Sequence, residues 1–265
     1  MSRLLVKPAR NAGLVHRVTP ESAGWTYVGF EVHDLIPGES LSAETGATEI
    51  CLVIIAGKAR ISAGGQDFGV LGERNNPFEG QPWSVYVPAK SIYTVTAETK
   101  LELAVCAAPG TGALPARVIS AEEVGQETRG KGSNTRYVRN ILPDSSPHAE
   151  SLLVVEVITP SGNWSSYPPH KHDQDALPLE SLLEETYYHR LSPPQGYGVQ
   201  RVYTDDRSLD ETMAFGDRDV VLVPKGYHPV GVAHGYDLYY LNVMAGPKKV
   251  WKFHNDPDHE WLMKA

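Results

Sequence analysis

An all-β fold, a sandwich or barrel of many short strands, is predicted by three features of this chain. Glycine (24) and proline (20) are spread as punctuation through its 265 residues. Between them lie short runs rich in Val, Ile, Leu and Tyr. Segments with a sustained helical period are nearly missing, and only residues 121–124 and 180–185 read as single helical turns.

Each predicted strand has its own local reason. Residues 25–32 are aromatic and β-branched, and 50–55 (I-C-L-V-I-I) form a continuous apolar run, as a strand covered on both faces would. Residues 59–62 alternate after Gly57, and 84–87 stop at Pro88. The runs 101–107, 152–159, 186–191 and 198–203 are again rich in β-formers. Residues 219–223 stop at Pro224, and 237–244 close the set. A weak internal repeat relates residues 49–61 and 85–93 to residues 184–191 and 221–228, with Glu49 answering Glu185 and Pro88 answering Pro224. Two similar β-domains are therefore expected, over residues 1–115 and 148–265. The Gly-, Ser- and charge-rich segment 116–147 is expected to connect them.

Composition narrows the function. Hydrophobic residues make up 41% and the formal net charge is −8, with no basic run, which argues against nucleic acid or an anionic membrane as partner. The apolar run around residues 51–56 is too short to span a bilayer. The first residues lack the apolar core of a signal peptide. Cys51 and Cys106 both sit in apolar runs and read as buried thiols of a cytoplasmic protein.

The chemistry concentrates in residues 164–172, W-S-S-Y-P-P-H-K-H. His170 and His172 are two apart, so on a strand their side chains share a face. A carboxylate follows at Glu184 or Glu185, and His228 ends the segment P-K-G-Y-H. Three imidazoles and one carboxylate form a site for a divalent metal ion such as zinc, manganese or iron, with positions left for substrate. The alternative, surface histidines in a Pro-rich loop, leaves the order of these elements unexplained. Alternation groups Glu185 with Tyr187 and His189 on one face and Glu184 with Thr186 and Tyr188 on the other, which leaves either glutamate open as the ligand. His228 is preferred to His234, which lies in a looser loop. Gln200, Arg201, Tyr240 and Asn242 lie on strands expected to line the second domain. Lys171, Arg201 and Lys225 are the nearest cations for an acidic substrate.

The segments 162–173, 184–190, 200–211, 223–230 and 239–247 together closely resemble the 5-deoxy-glucuronate isomerase family of bacterial myo-inositol catabolism. These are bicupins related to the 5-keto-4-deoxyuronate isomerases. The resemblance runs over essentially the whole chain. It implies two jelly-roll barrels, the first without metal, and a metal held by His170, His172, Glu185 and His228. The related isomerases carry a Glu followed two residues later by an aromatic, which points to Glu185 with Tyr187. These two are the candidate catalytic residues. Lys171, Gln200, Arg201, Tyr240 and Asn242, taken from the strands and nearby cations, are the candidate substrate contacts. The implied reaction is aldose–ketose isomerisation of a sugar acid, 5-deoxy-D-glucuronate to 5-dehydro-2-deoxy-D-gluconate. This chain departs from the general cupin pattern in a longer gap from His172 to Glu185 and a shorter one from Pro224 to His228. A related uronate ketol-isomerase, an iron-dependent cupin dioxygenase and a non-catalytic sugar-acid-binding bicupin are the alternative readings. A homo-oligomer is compatible with exposed jelly-roll edges, which often pair.

Overall fold

A computed structural model describes residues 2–9 and 13–264. It is all-β, as expected. Helical segments among the described residues are Pro20–Ala23, Gly132–Asn134 and Pro257–Met263. The first is closed by a capping box between Thr19 and Ser22. No helix among the described residues is long and apolar enough to cross a membrane. The chain forms two compact units. One comprises residues 8–125 and 139–155, the other residues 1–7, 126–138 and 156–265.

In the first unit, a six-stranded sheet runs in the order Arg117–Ile119, Trp83–Val87, Thr48–Ala56, Leu101–Pro109, Gly29–Leu35, Leu14–Val18. A four-stranded sheet has the order Ser40–Glu44, Ile92–Ala97, Ala59–Ala63, Gln66–Leu71. Within Thr48–Ala56, residues 50–56 are apolar because the strand has a neighbour on either side and is buried along nearly its whole length. Its residues Ile50, Leu52 and Ile54 meet Ile61 and Val95 of the other sheet in one core. Each such side chain contributes roughly 1.5–3 kcal/mol by leaving water. Glu49, Cys51 and Val53 point the other way, and Cys51 lies opposite Cys106, both thiols free and buried.

The second unit carries most of a seven-stranded sheet, ordered Leu5–Val6, Val220–Val223, Glu184–Ser192, Asp237–Ala245, Leu153–Thr159, Arg136–Leu142, Gly125–Arg129. A four-stranded sheet has the order Trp164–Ser165, Val230–Val232, Gly198–Tyr203, Asp210–Phe215. Two short ladders pair His170–Lys171 with His254–Asn255 and Asp173–Ala176 with Glu180–Leu182.

Three sequence expectations are corrected. Residues 180–185 are not a helical turn: they form the strand Glu180–Leu182 and the start of Glu184–Ser192. Residues 121–124 form a turn. The segment 116–147 is more than a connection, since it supplies the strands Arg117–Ile119, Gly125–Arg129 and Arg136–Leu142. Gly125–Arg129 is an exposed edge strand, so it needs no apolar face and leaves no periodic signal.

The repeat also shifts by one residue. Glu185 lies opposite Val223 and Met244, whereas Ile50 lies opposite Val87 and Ala107. With Val87-Pro88 matched to Val223-Pro224, the counterpart of Glu185 is Ile50, and Glu49 answers Glu184. The buried Glu49 carboxylate accepts backbone N–H bonds from Glu150 (2.8 Å), Ser151 (2.6 Å) and Leu152 (2.6 Å), and the Tyr86 hydroxyl at 2.7 Å.

Candidate metal centre

The register of two neighbouring strands assembles the site. Glu185, Tyr187 and His189 share one face of Glu184–Ser192. Tyr187 lies opposite Asn242, and His189 opposite Tyr240, on Asp237–Ala245. Opposed residues of an antiparallel pair point the same way, so these five side chains gather on one surface. Gln200 and His228 join them from the Gly198–Tyr203 strand and the turn before Val230–Val232. That turn needs Gly226: its φ is +90°, and a Cβ there would collide with the Tyr203 carbonyl oxygen. Gly226 N–H donates to Asp173 Oδ2 (2.9 Å), and Tyr203 and Tyr227 exchange backbone bonds of 2.8 and 2.9 Å.

At the centre, one Glu185 oxygen, Oε2, lies 3.2 Å from His172 Nε2 and 3.2 Å from His228 Nε2. The ligand atoms of these three buried residues all lie within 4.8 Å of one another. Each imidazole is anchored through its other nitrogen. His172 Nδ1 donates to Leu183 O at 3.0 Å, and His228 Nδ1 to Gly226 O at 2.8 Å. A carbonyl only accepts, so both Nδ1 atoms carry a proton and both Nε2 atoms turn toward the carboxylate. His172 Nε2 hydrogen-bonds Glu185 Oε2, whereas His228 Nε2 makes no hydrogen bond. Two imidazole nitrogens and a carboxylate oxygen converging in a buried place form a donor set that fits a divalent metal, which would replace the proton between His172 and Glu185.

His170 stands beside this trio. Its ring lies edge-on to His228 with centroids 4.9 Å apart, 6.4 Å from His172, and packs on Phe253 at 4.7 Å. The structure thus gathers three of the four expected ligands into one cluster and sets the fourth against it. Burial holds the His228 pKa down at about 4, although Glu185 pulls the other way. Burial, helped by the charges of His228, His172 and Arg136, also keeps His170 well below the ordinary imidazole value. Both are neutral at pH 7, the form that ligates metal. At His172 burial again opposes the proton, but the hydrogen bond and charge of Glu185 outweigh it and move the pKa up.

Around the trio, Asn242 Nδ2 donates a short bond to Glu185 Oε1 and fixes the carboxylate plane. The Tyr187 hydroxyl bonds Ser166 Oγ at 2.8 Å, and Tyr240 bonds Ser165 Oγ in a short contact. Burial, reinforced by the Glu185 charge, raises the Tyr187 pKa well above that of a free phenol. His189 stacks on Phe215 at 3.8 Å and donates from Nε2 to Gln200 Oε1 at 3.1 Å. Its buried Nδ1 has no hydrogen-bond partner, and burial lowers its pKa to about 3.

Two expected substrate contacts face elsewhere. Lys171 points to the opposite side from its histidine neighbours, as alternation requires, and is buried against Asp173 (2.9 Å), Asp205 (3.0 Å) and Glu180 (3.5 Å). Arg201 alternates with the inward Gln200 and forks onto Asp210 at 2.7 and 2.6 Å, stacked over Tyr203. Sequence reasoning missed Ser165, Ser166 and Arg136. Arg136 is half-buried and donates from Nη1 to Asn134 O (3.1 Å) and Tyr167 O (3.2 Å). The alternation in R-Y-V-R-N-I-L, residues 136–142, was the available signal.

A family model described as KduI/IolB family matches residues 4–262. The chain belongs to that family. It is 60% identical over 268 residues to a protein of Geobacillus kaustophilus named 5-deoxy-glucuronate isomerase, covering 100% of this chain and 97% of the relative. The crystal structure of an IolB-like protein from Salmonella typhimurium LT2 superposes with a TM-score of 0.96 at 55% identity, covering 98% of this chain and 99% of that one. Oxalate decarboxylase from Lactobacillus farciminis shares the bicupin fold, with a TM-score of 0.69 at 13% identity over 100% of this chain and 91% of that one.

Proposed function

We propose that this member of the KduI/IolB family is an aldose–ketose isomerase that interconverts 5-deoxy-D-glucuronate and 5-dehydro-2-deoxy-D-gluconate at the His172–Glu185–His228 centre. One observation carries the reading: two imidazole Nε2 atoms, each ring fixed by its own Nδ1–H bond, meet one carboxylate oxygen in a chain 60% identical to a relative of that name. His172, Glu185 and His228 would hold a divalent ion, with His170 as the fourth ligand. Such an ion supplies Lewis acidity at the sugar's carbonyl and its neighbouring hydroxyl.

The reaction moves a carbonyl from C1 to C2. A proton leaves C2 and one enters C1, and the hydroxyl proton passes from one oxygen to the other. The chain's own groups serve these steps by position. Asn242 holds Glu185 in one plane. Tyr187, on the same face as Glu185, stays protonated at neutral pH and offers its O–H toward developing negative charge on a substrate oxygen. Glu185 and Tyr187 are the proposed catalytic residues. Gln200 positions His189 and reaches the His228 carbonyl at 3.5 Å, and Tyr240 lines the same face. The test is conversion of 5-deoxy-D-glucuronate followed by NMR, with and without a chelator. Turnover that chelation abolishes and divalent metal restores supports the reading; no turnover by the metal-loaded protein refutes it.

A further inference from the structure

A sugar acid brings a negative charge to a protein whose formal net charge is −8, so its carboxylate needs a local cation. Of the cations named in the sequence, Lys225 is exposed, and Lys171 and Arg201 are committed. Lys171 is ringed by three carboxylates and Arg201 is forked onto Asp210. Arg129 holds Glu127 at 2.6 Å. Arg136 differs: it forms no ion pair with any described residue. Its two hydrogen bonds both leave from Nη1 and both end on backbone carbonyls. Those bonds fix the guanidinium plane while Nε and Nη2 have no protein acceptor among the described residues, which is the edge that takes a carboxylate bidentately.

Local structure is shaped to hold this arginine. Gly130 has φ +73°, and a Cβ there would lie 2.8 Å from Arg136 Nη1 and collide with the Asn134 carbonyl oxygen. Asn163 Nδ2 braces the same loop through Thr135 O at 2.9 Å. Tyr167, whose carbonyl Arg136 grips, follows Ser165 and Ser166, which hold the hydroxyls of Tyr240 and Tyr187, and precedes His170 by three residues. The Arg136 charge is felt at His170, Tyr187 and Tyr240. A half-buried guanidinium without a counter-ion is costly unless a ligand supplies one.

We infer that Arg136 binds the substrate's carboxylate and so fixes which end of the six-carbon chain meets the metal centre. The inference rests on the isomerase reading above. It assigns the two ends of the substrate to two places: carbonyl and adjacent hydroxyl at His172–Glu185–His228, carboxylate at Arg136.

The test compares 5-deoxy-D-glucuronate with 5-deoxy-D-glucose, which replaces the carboxylate by a hydroxymethyl group. The selectivity of the metal-loaded protein for the acid, as a ratio of kcat/KM, is expected to fall about 10- to 100-fold in Arg136→Gln, the range of a charge-assisted bidentate contact. The fall should appear mainly in KM. Arg136→Lys should recover part of it, because it keeps the charge and loses the fork. Metal content per chain and Tm are read alongside, so that a folding defect is recognised as such. Unchanged selectivity in well-folded, metal-loaded Arg136→Gln overturns the inference and leaves the isomerase reading intact. If the wild-type protein turns over neither sugar, the isomerase reading falls instead. Calorimetric titration with D-glucuronate and D-glucose then decides: a preference for the acid in wild type that Arg136→Gln lacks supports the carboxylate site. No preference in wild type, or one that survives in Arg136→Gln, overturns it.

Discussion

Asn242→Ala isolates the support behind the proposed metal ligand. Asn242 Nδ2 donates to Glu185 Oε1, the oxygen turned away from the imidazoles, while Oε2 faces them at 3.2 Å. Truncation frees the carboxylate to rotate and leaves Oε1 buried without its donor. Loss of a hydrogen bond that orients a ligand weakens metal affinity by about 10- to 100-fold, or about 1.4 to 2.7 kcal/mol. Apoprotein would be refilled with Mn2+ or Zn2+ in competition with a chelating dye. Glu185→Gln, which removes the ligand charge itself, should lose more than Asn242→Ala. Glu184→Gln, on the opposite face of the strand, should lose less than either. An Asn242→Ala protein that binds both ions within threefold of wild type would refute the orienting role. Greater loss from Glu184→Gln than from Glu185→Gln would place the ion on the other face.

Other expectations follow from the same geometry. Elemental analysis should find up to one divalent ion per chain in wild type and none in the double variant His170→Ala/His172→Ala, and full retention in the variant would contradict the ligand assignment. In D2O the product should carry deuterium at the former C1, because the proton leaving C2 passes through groups that exchange with water; NMR showing none would exclude that route. Metal-free protein should gain stability as pH rises from about 4 to 6.5. Over that range unfolded His228 and His189 bind protons that their folded forms, with pKa values lowered to about 4 and about 3, refuse. The raised pKa of His172 acts in the opposite sense, one group against two, and only as pH rises beyond its unfolded value. A thermal-melt series in chelator that is flat or falls from about pH 4 to 6.5 would contradict this assignment. Glu49→Ala strands three N–H groups and a phenol, which should cost about 3–5 kcal/mol and lower the Tm by about 6–20 °C; a change under 2 °C would show the clasp to be dispensable.

The parts of the fold legible in the sequence were those whose burial leaves a pattern. Thr48–Ala56, Leu101–Pro109, Glu184–Ser192 and Asp237–Ala245 lie inside their sheets with partners on both sides, and their apolar or aromatic runs announce them. Alternation alone put Glu185, Tyr187 and His189 on one face, where the ladder has them. Edge strands such as Gly125–Arg129 left no such trace. The repeat slipped because both strands begin with a glutamate, one at Glu49 and one at the adjacent pair Glu184-Glu185; only cross-strand register tells them apart. Lys171 and Arg201 looked free because Asp205, which completes the ring around Lys171, is distant in sequence, and Asp210, the partner of Arg201, lies across a hairpin. Arg136 was hidden by the opposite effect: its partners are backbone carbonyls, which no sequence pattern reports.

Ile50 occupies the place in one unit that Glu185 occupies in the other, and this difference divides labour between duplicated copies. The copy with Ile50 presents hydrocarbon at that position, and the neighbouring carboxylate, Glu49, is neutralised by peptide N–H dipoles that travel with the chain. Its charge partner cannot be dialysed away. The copy with Glu185 has no such built-in set: His228 Nε2 and Asn242 Oδ1 stay unsatisfied within it, and the ion proposed for that place would come from solution. With that ion bound, the stability of the Glu185 copy would move with the ion's supply, while the Glu49 network would be indifferent to it.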